Sequence, residues 1–566
     1  MTFKKIFQTI YPIKCRSAAT QHFLSAGLFN RVHPVKCRSA ATQHFLKSAG
    51  LFNRVNRNEW IFLFIVSIVV IIATSLPYIY GYLTAPEDTY FLAVSPVNKI
   101  DYSNYFSYIE QVRQGHFLFK DLYTTESQPR IIFNLFFLVL GFFAKFLRLS
   151  ALAIFHIARI ILIPIFILVF YFFASFLYKE VLKRKFALLF ICFSSGLGAI
   201  LSVLTSNLPP LQQPLDLWSP EAITFLSFYT NPLFIFSLIL IIGIFFLTLL
   251  SLKKKKYKYS LFAGFLGLIL FQIHPYDVPT ILLILSSFWL FLFIKDRKNS
   301  WFYLKHCLIF LVISTPSLIY YLWLSNTHWL TIHRISQAAP MAFTPPFFSV
   351  FISYGLIWLL VLIGIFRPLK NHFFIFLIIW LIGQTCLIYS PIPLQRKLLE
   401  GIHPILSLLA AHGLFIIYQY LKQKLYWQKN IVLRNKFLWI SIFIFLFCFS
   451  NVVFMIRDIK IYQESHHFIP QDLIKTMIWL NKNSPKESNI LANPDYWETN
   501  NLIPAFALRK VYIGHMCETA YFEIKRKELF WFFSNNEYDL EKEKWLKDKN
   551  INYILVHENA KNIFQP

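Results

Sequence analysis

The chain has 566 residues, of which 56 % are hydrophobic and 19 % aromatic, against only 15 % charged. A soluble domain carries about a quarter charged residues, so a chain of three or four soluble domains is excluded. The formal net charge of +27 sits in short segments between apolar runs, which argues against a nucleic-acid partner and for an orientation signal in a membrane.

Residues 1–58 form a basic segment in which Lys14–Val32 recurs as Lys36–Val55 with one inserted residue, Lys47. Two copies are too few for a solenoid, and the one-residue slip rotates any shared helical face by about 100°. The segment reads as a recent duplication or a gene-model accident, basic enough to face anionic lipid from the cytoplasm. It lacks the apolar region and cleavage site of a signal peptide.

Apolar runs that can cross about 30 Å of hydrocarbon as helices come next. The expected spans are 60–82, 151–178, 186–205, 231–252, 259–273, 278–294, 307–325, 347–366, 373–390, 404–421 and 437–456. The fold class is therefore a polytopic α-helical membrane protein of about eleven transmembrane helices over 59–456. It carries outer-face juxtamembrane helices in a loop at 83–150 and a small C-terminal α/β domain at 457–566. One further apolar run, Ile131–Leu147, is laid flat as an interfacial helix ending in Lys145 and Arg148. If it crossed, Lys179, Lys183, Arg184 and Lys185 would fall outside. Laid flat, it leaves the cation-rich loops Lys253–Lys256, Lys295–Lys298 and Lys422–Lys436 inside, as the positive-inside rule requires. The expected location is the cytoplasmic (inner) membrane, with the N-terminus in the cytoplasm and the C-terminal domain outside.

After Ile456 the composition turns soluble. Helices are expected at Gln471–Asn483, Tyr521–Phe533 and Leu540–Lys549, with strands at Asn489–Asn493, Lys510–Gly514 and Asn552–Val556, an alternation that suggests a small α/β unit. The seven cysteines have no metal-type spacing and promise no disulfide framework.

Four polar clusters fall on the outer side, where polar residues at a membrane boundary usually have a use. The first is the loop Thr84–Arg130, with Glu87, Asp88, the run Asp101-Tyr102-Ser103-Asn104-Tyr105, a helix to Gly115, then Asp121, Glu126 and Pro129. Asp101 opens that helix like an N-cap, and capping is the plain reading of it. The second is His274-Pro275-Tyr276-Asp277, where the proline frees backbone groups that His274 and Asp277 can satisfy, unless they bind an acceptor or a metal. The third is Arg396-Lys397, followed by Glu400 and His403, two cations suited either to a phosphate or to a lipid headgroup. The fourth is Trp218-Ser219-Pro220-Glu221, mostly an aromatic belt, with Glu221 a candidate sugar contact.

The order and spacing of Asp101, Tyr105, Gly115, Glu126 with Pro129, the run 131–147 and Arg159 resemble the GT-C superfamily of lipid-dependent glycosyltransferases, including protein O-mannosyltransferases and aminoarabinose transferases. The pattern departs at Tyr102, where many members have a second acid, and at the single Pro129, where they often have two. The tail around His515, Glu518 and Tyr521–Glu528 also resembles C-terminal portions of bacterial membrane proteins of this superfamily, without a role for any residue.

The resemblance implies transfer of a sugar from a polyprenyl-phosphate carrier to an acceptor (glycan, lipid or protein) at the outer face. Asp101 is then the catalytic base, and Tyr105, Glu126, Arg159, Glu221, His274, Asp277, Arg396, Lys397, Glu400 and His403 are candidate substrate-binding residues. One His and one Asp fall short of the three ligands a metal site needs, so no metal ligand is assigned, although a divalent ion stays open. The rival readings are a transporter or lipid flippase, and a catalytically inactive GT-C-like scaffold. Against a transporter stand the lack of an internal repeat among the spans and of acids at mid-membrane depth.

Overall fold

A computed structural model describes residues 55–367, 373–423, 443–463, 467–494, 499–534 and 540–556. The chain divides into two units, residues 1–53 and 54–566, and all the described residues belong to the second. The N-terminal duplication, most of the basic loop Lys422–Lys436 and the start of the expected span 437–456 lie outside the described residues.

Among the described residues six helices are long and apolar enough to cross a membrane: Arg57–Leu83, Ala151–Leu177, Pro232–Lys254, Pro275–Lys295, Arg297–Thr327 and Gln395–Gln423. The expected count of about eleven is not confirmed among the described residues, for identifiable reasons. The run 186–205 is helical only as Val181–Phe193, because the chain leaves the helix at Ser194 and Gly196 packs against the Ile352–Ser353 backbone. The run 347–366 is two helices, Phe347–Tyr354 and Ile357–Phe366, bent by 87°. Gly355 at the bend has φ +48, a conformation that a side chain resists. Lys258–Ile273 and Phe374–Leu387 are apolar but shorter than a full crossing. So is Leu135–Leu147, the run laid flat from the charge pattern, with 13 helical residues.

The first span opens with a capping box. Asn56 accepts from the Glu59 amide, and the Glu59 carboxylate accepts from the Asn56 amide, both at 2.9 Å. The helix Pro232–Lys254 is buried along nearly its whole length and forms the centre of the bundle. Beyond the first span, strand β1 (Thr89–Phe91) leads to the helix Lys99–Arg113, over which Leu135–Leu147 packs closely. A Cβ on Gly141 would lie 2.3 Å from Val112 Cβ, so only glycine allows this approach.

The tail begins with β2 (Phe468–Pro470), which pairs antiparallel with β1. It continues as a parallel sheet of β3 (Asn489–Ala492), β4 (Lys510–Val511) and β5 (Tyr553–Leu555), in the order β4-β3-β5. Helices Gln471–Asn483, Thr499–Phe506, Phe522–Ser534 and Leu540–Asp548 accompany it. Every residue of β3 is buried, as expected of a parallel strand covered on both faces. Met477, Ile490, Leu502, Ile503 and Val511 form one core, and Tyr123 of the loop at 83–150 is inserted into it, fully buried. The expected tail elements are present, while β2 and Thr499–Phe506 are additions.

Candidate functional site

Asp101 is not a helix cap. A 3-10 turn, Pro96–Asn98, runs directly into Lys99–Arg113, so the helix already exists when the chain reaches Asp101 in its first turn. Its side chain points across to the tail, where Asp101 Oδ1 and His515 Nε2 are 2.8 Å apart. The Cys517 amide donates to His515 Nδ1 at 3.1 Å, so in the neutral ring Nε2 carries the proton and donates it to Asp101. The Asp101 side chain is still 46 % accessible, leaving one carboxylate oxygen for another partner. Burial pushes the Asp101 carboxyl up, but the His515 hydrogen bond and charge, with Lys397 beyond, outweigh it and hold the group below the usual aspartate value. For His515 burial pushes down, and the Asp101 bond and charge push it above the usual histidine value.

A second layer fixes this contact. Asn104, one turn along from Asp101, donates to Glu518 Oε1 at 3.1 Å, and Glu518 also pairs with Arg334. Tyr521 N–H donates to His333 Nε2 at 2.9 Å, and Gln337 donates to the Thr519 carbonyl at 3.1 Å. The turn 514–521 is therefore held by Lys99–Arg113 on one side and by Trp329–Ala338 on the other. Close by, Asp121 is buried, and burial together with the Glu518 charge raises its carboxyl to about 7. Glu126 joins this layer through Lys525 at 2.8 Å and does not reach Asp101.

Lys397, in the turn Gln395–Leu399, lies within electrostatic reach of Asp101. Lys397 Nζ is 2.5 Å from Glu221 Oε1, and Arg396 is 3.6 Å from Glu221 Oε2. The Arg396 guanidinium also lies over the Trp218 ring at 4.7 Å. Burial pushes Glu221 up, but Lys397 and then Arg396 hold it far below the usual carboxylate range. The third and fourth sequence clusters are thus one cluster, and its cations are held by Glu221 on one flank while remaining partly accessible, at 13 and 24 %. Tyr105 lies beside it, with its ring stacked on Phe137 at 5.0 Å.

Three buried groups meet behind Lys397. His274 Nδ1 is 3.0 Å from Asp277 Oδ2 and 3.2 Å from Glu400 Oε2. The turn bearing Glu400 is fixed by Gln384, which donates to the Leu398 and Glu400 carbonyls at 2.9 and 2.6 Å. The sequence supplied two of these ligand types side by side; the fold brings the third from a span far along the chain.

Two expected substrate contacts are engaged elsewhere. Arg159 donates to Thr74 Oγ1 at 2.9 Å, to Ser75 Oγ at 3.0 Å and to the Phe228 carbonyl at 3.2 Å, binding the first two long helices together. His403 contacts Ser194 Oγ and Thr224 Oγ1, both at 3.0 Å. Tyr102, where a second acid was expected, is buried and donates to the Thr230 carbonyl at 2.9 Å. The sequence reading missed His515, Glu518, Asn104 and Arg334 as site residues. A His and a Glu in one short tail turn were the only available signal, and nothing in the pattern pointed to Arg334.

This arrangement sits in an architecture with known counterparts. An oligosaccharyltransferase of Archaeoglobus fulgidus, solved tethered to an acceptor peptide containing an NVT sequon, superposes with a TM-score of 0.52 at 14 % identity, over 87 % of this chain and 68 % of that one. The oligosaccharyltransferase AglB of the same organism, solved with an inhibitory peptide and a dolichol-phosphate, gives 0.51 at 12 % identity, over 88 % and 70 %. The chain shares the fold of these two oligosaccharyltransferase structures. No protein-family model and no curated protein matches the sequence. At this identity the likeness speaks for the fold alone.

Proposed function

We propose that this protein is a membrane glycosyltransferase of the GT-C superfamily that moves a sugar from a polyprenyl-phosphate carrier to an acceptor hydroxyl on the outer face of the cytoplasmic membrane. The observation that carries the reading is an accessible carboxylate, Asp101, within electrostatic reach of the partly accessible Lys397, which shares Glu221 with its neighbour Arg396. The fold is one in which solved counterparts hold a dolichol-phosphate and an acceptor peptide.

The geometry suits one displacement. The acceptor oxygen attacks the anomeric carbon while its proton passes to the free oxygen of Asp101. The bond from the anomeric carbon to the phosphate oxygen breaks, and the electron pair leaves with the phosphate. Arg396 and Lys397 receive that charge, exchanging part of their interaction with Glu221 for the phosphate. His515 holds Asp101 in one orientation; because the same bond weakens Asp101 as a base, its gain is in placement rather than basicity. Arg159 has no part in this step.

The test is Asp101→Asn in membranes supplied with labelled polyprenyl-phosphate sugar. Transfer should fall by about 10²–10⁴-fold, the usual contribution of a positioned base. Undiminished transfer would remove the central claim.

A further inference from the structure

His274, Asp277 and Glu400 have a shortage of partners. All three are buried, and their ligand atoms lie within 4.8 Å of one another. The two carboxylates bring four oxygens, yet a single imidazole nitrogen, His274 Nδ1, faces both. Among the described residues, Asp277 Oδ1 and both carboxylate oxygens of Glu400 have no hydrogen-bond partner. Buried acceptors of this kind are normally satisfied, and an unpaired buried carboxylate is among the costliest groups a fold can keep.

From this cluster we infer that His274, Asp277 and Glu400 bind a divalent first-row cation. Ligand atoms about 2.1 Å from an ion lie about 3.0–3.4 Å from one another, and the two His274 separations, 3.0 and 3.2 Å, match that edge length. One imidazole and two carboxylates suit zinc or manganese, and the ion's two positive charges neutralise the acids. Three protein ligands leave a coordination position for water or a ligand oxygen. The site would also couple to Arg396 and Lys397. It ties the turn Pro275–Asp277 to the segment that carries Arg396 and Lys397, and Gln384 holds that segment from behind. The ion would act as a clamp that fixes the two cations from one side.

The full-length protein, purified in detergent without chelator, tests this by elemental analysis after dialysis against zinc or manganese chloride. The expected result is about one ion per chain, with affinity reduced at least about 100-fold in Glu400→Gln and His274→Ala, more than loss of an outer-shell partner costs. Chelation should lower the melting temperature of the wild type and leave Glu400→Gln unmoved. Cobalt provides a readout that needs no variant, since visible absorption bands should appear on loading the wild type and vanish on adding zinc. Failure of the wild type to take up any of the three ions would overturn the inference and leave the acids sharing a proton. Uptake that survives unchanged in the His274→Ala/Glu400→Gln double variant would overturn it equally. Neither result bears on Asp101, so the glycosyltransferase reading stands or falls separately.

Discussion

The start of the first span and the candidate site mark two ends of a range in the treatment of carboxylates. At the start of the span, Glu59 Oε1 accepts from the Tyr171 hydroxyl at 2.5 Å and from Arg184 at 3.0 Å, and Oε2 accepts from the Asn56 amide at 2.9 Å. Every demand of that carboxylate is met inside the protein. In the candidate site, the Glu400 carboxylate has no hydrogen bond among the described residues, and Asp101 has one oxygen held and one open. Where donors and acceptors balance, the polar group holds helices together; where acceptors are in surplus or face accessible space, they are left for something that binds.

The contrast is broken most forcefully at Glu59. Arg184→Ala leaves a buried carboxylate uncompensated and should cost about 3–5 kcal/mol of stability, measured by unfolding in detergent, while the surviving folded fraction transfers sugar at the normal rate. Asp101→Asn should do the reverse. Its half-exposed side chain makes it nearly neutral for melting, although it removes most transfer. If Asp101→Asn proves as destabilising as Arg184→Ala, the division between the two ends fails.

Lys397→Ala comes next, with an expected rise of roughly tenfold in the KM for the phosphate-linked donor from loss of one charge-assisted contact, and a smaller change in kcat. Glu221→Gln should act in the opposite sense at low donor concentration, because it frees both cations. A Lys397→Ala variant with an unaltered KM would assign that lysine to Glu221 alone.

His515→Ala has a smaller effect on rate but a distinctive pH signature. Asp101 lies below its unfolded value and His515 above its own, so their contact contributes fully between about pH 3.9 and 6.5. That contribution is lost as pH falls through the folded Asp101 value, or rises through the folded His515 value. Removing His515 leaves burial dominant at Asp101, so the acid limb of the rate profile should move to higher pH. An acid limb that stays in place would show that the contact does not govern Asp101.

The sequence by itself determined the solvent of this protein and much of its local order. Charge-poor apolar runs cannot satisfy their backbone in lipid except as helices, so the helical membrane class followed from composition. Lys145 and Arg148 beside a short run foretold Leu135–Leu147, and the period of the tail foretold Gln471–Asn483 as its bounds stand. Hydropathy could not see that Ser194 ends one run early or that Gly355 turns another by 87°, because apolar content says nothing about where a backbone bends. The site was legible as residue types and illegible as a constellation. Asp101, Glu221, Lys397 and Glu400 stood out as polar groups at a membrane boundary, each with a structural alternative. Only the tertiary structure shows their partners, tying Arg159 and His403 into helix contacts and bringing His515 to Asp101 from 414 positions away in the chain. Periodicity is a property of neighbours in sequence, whereas a site is built from contacts across the fold, and no pattern within a single span records which distant side chain will meet it.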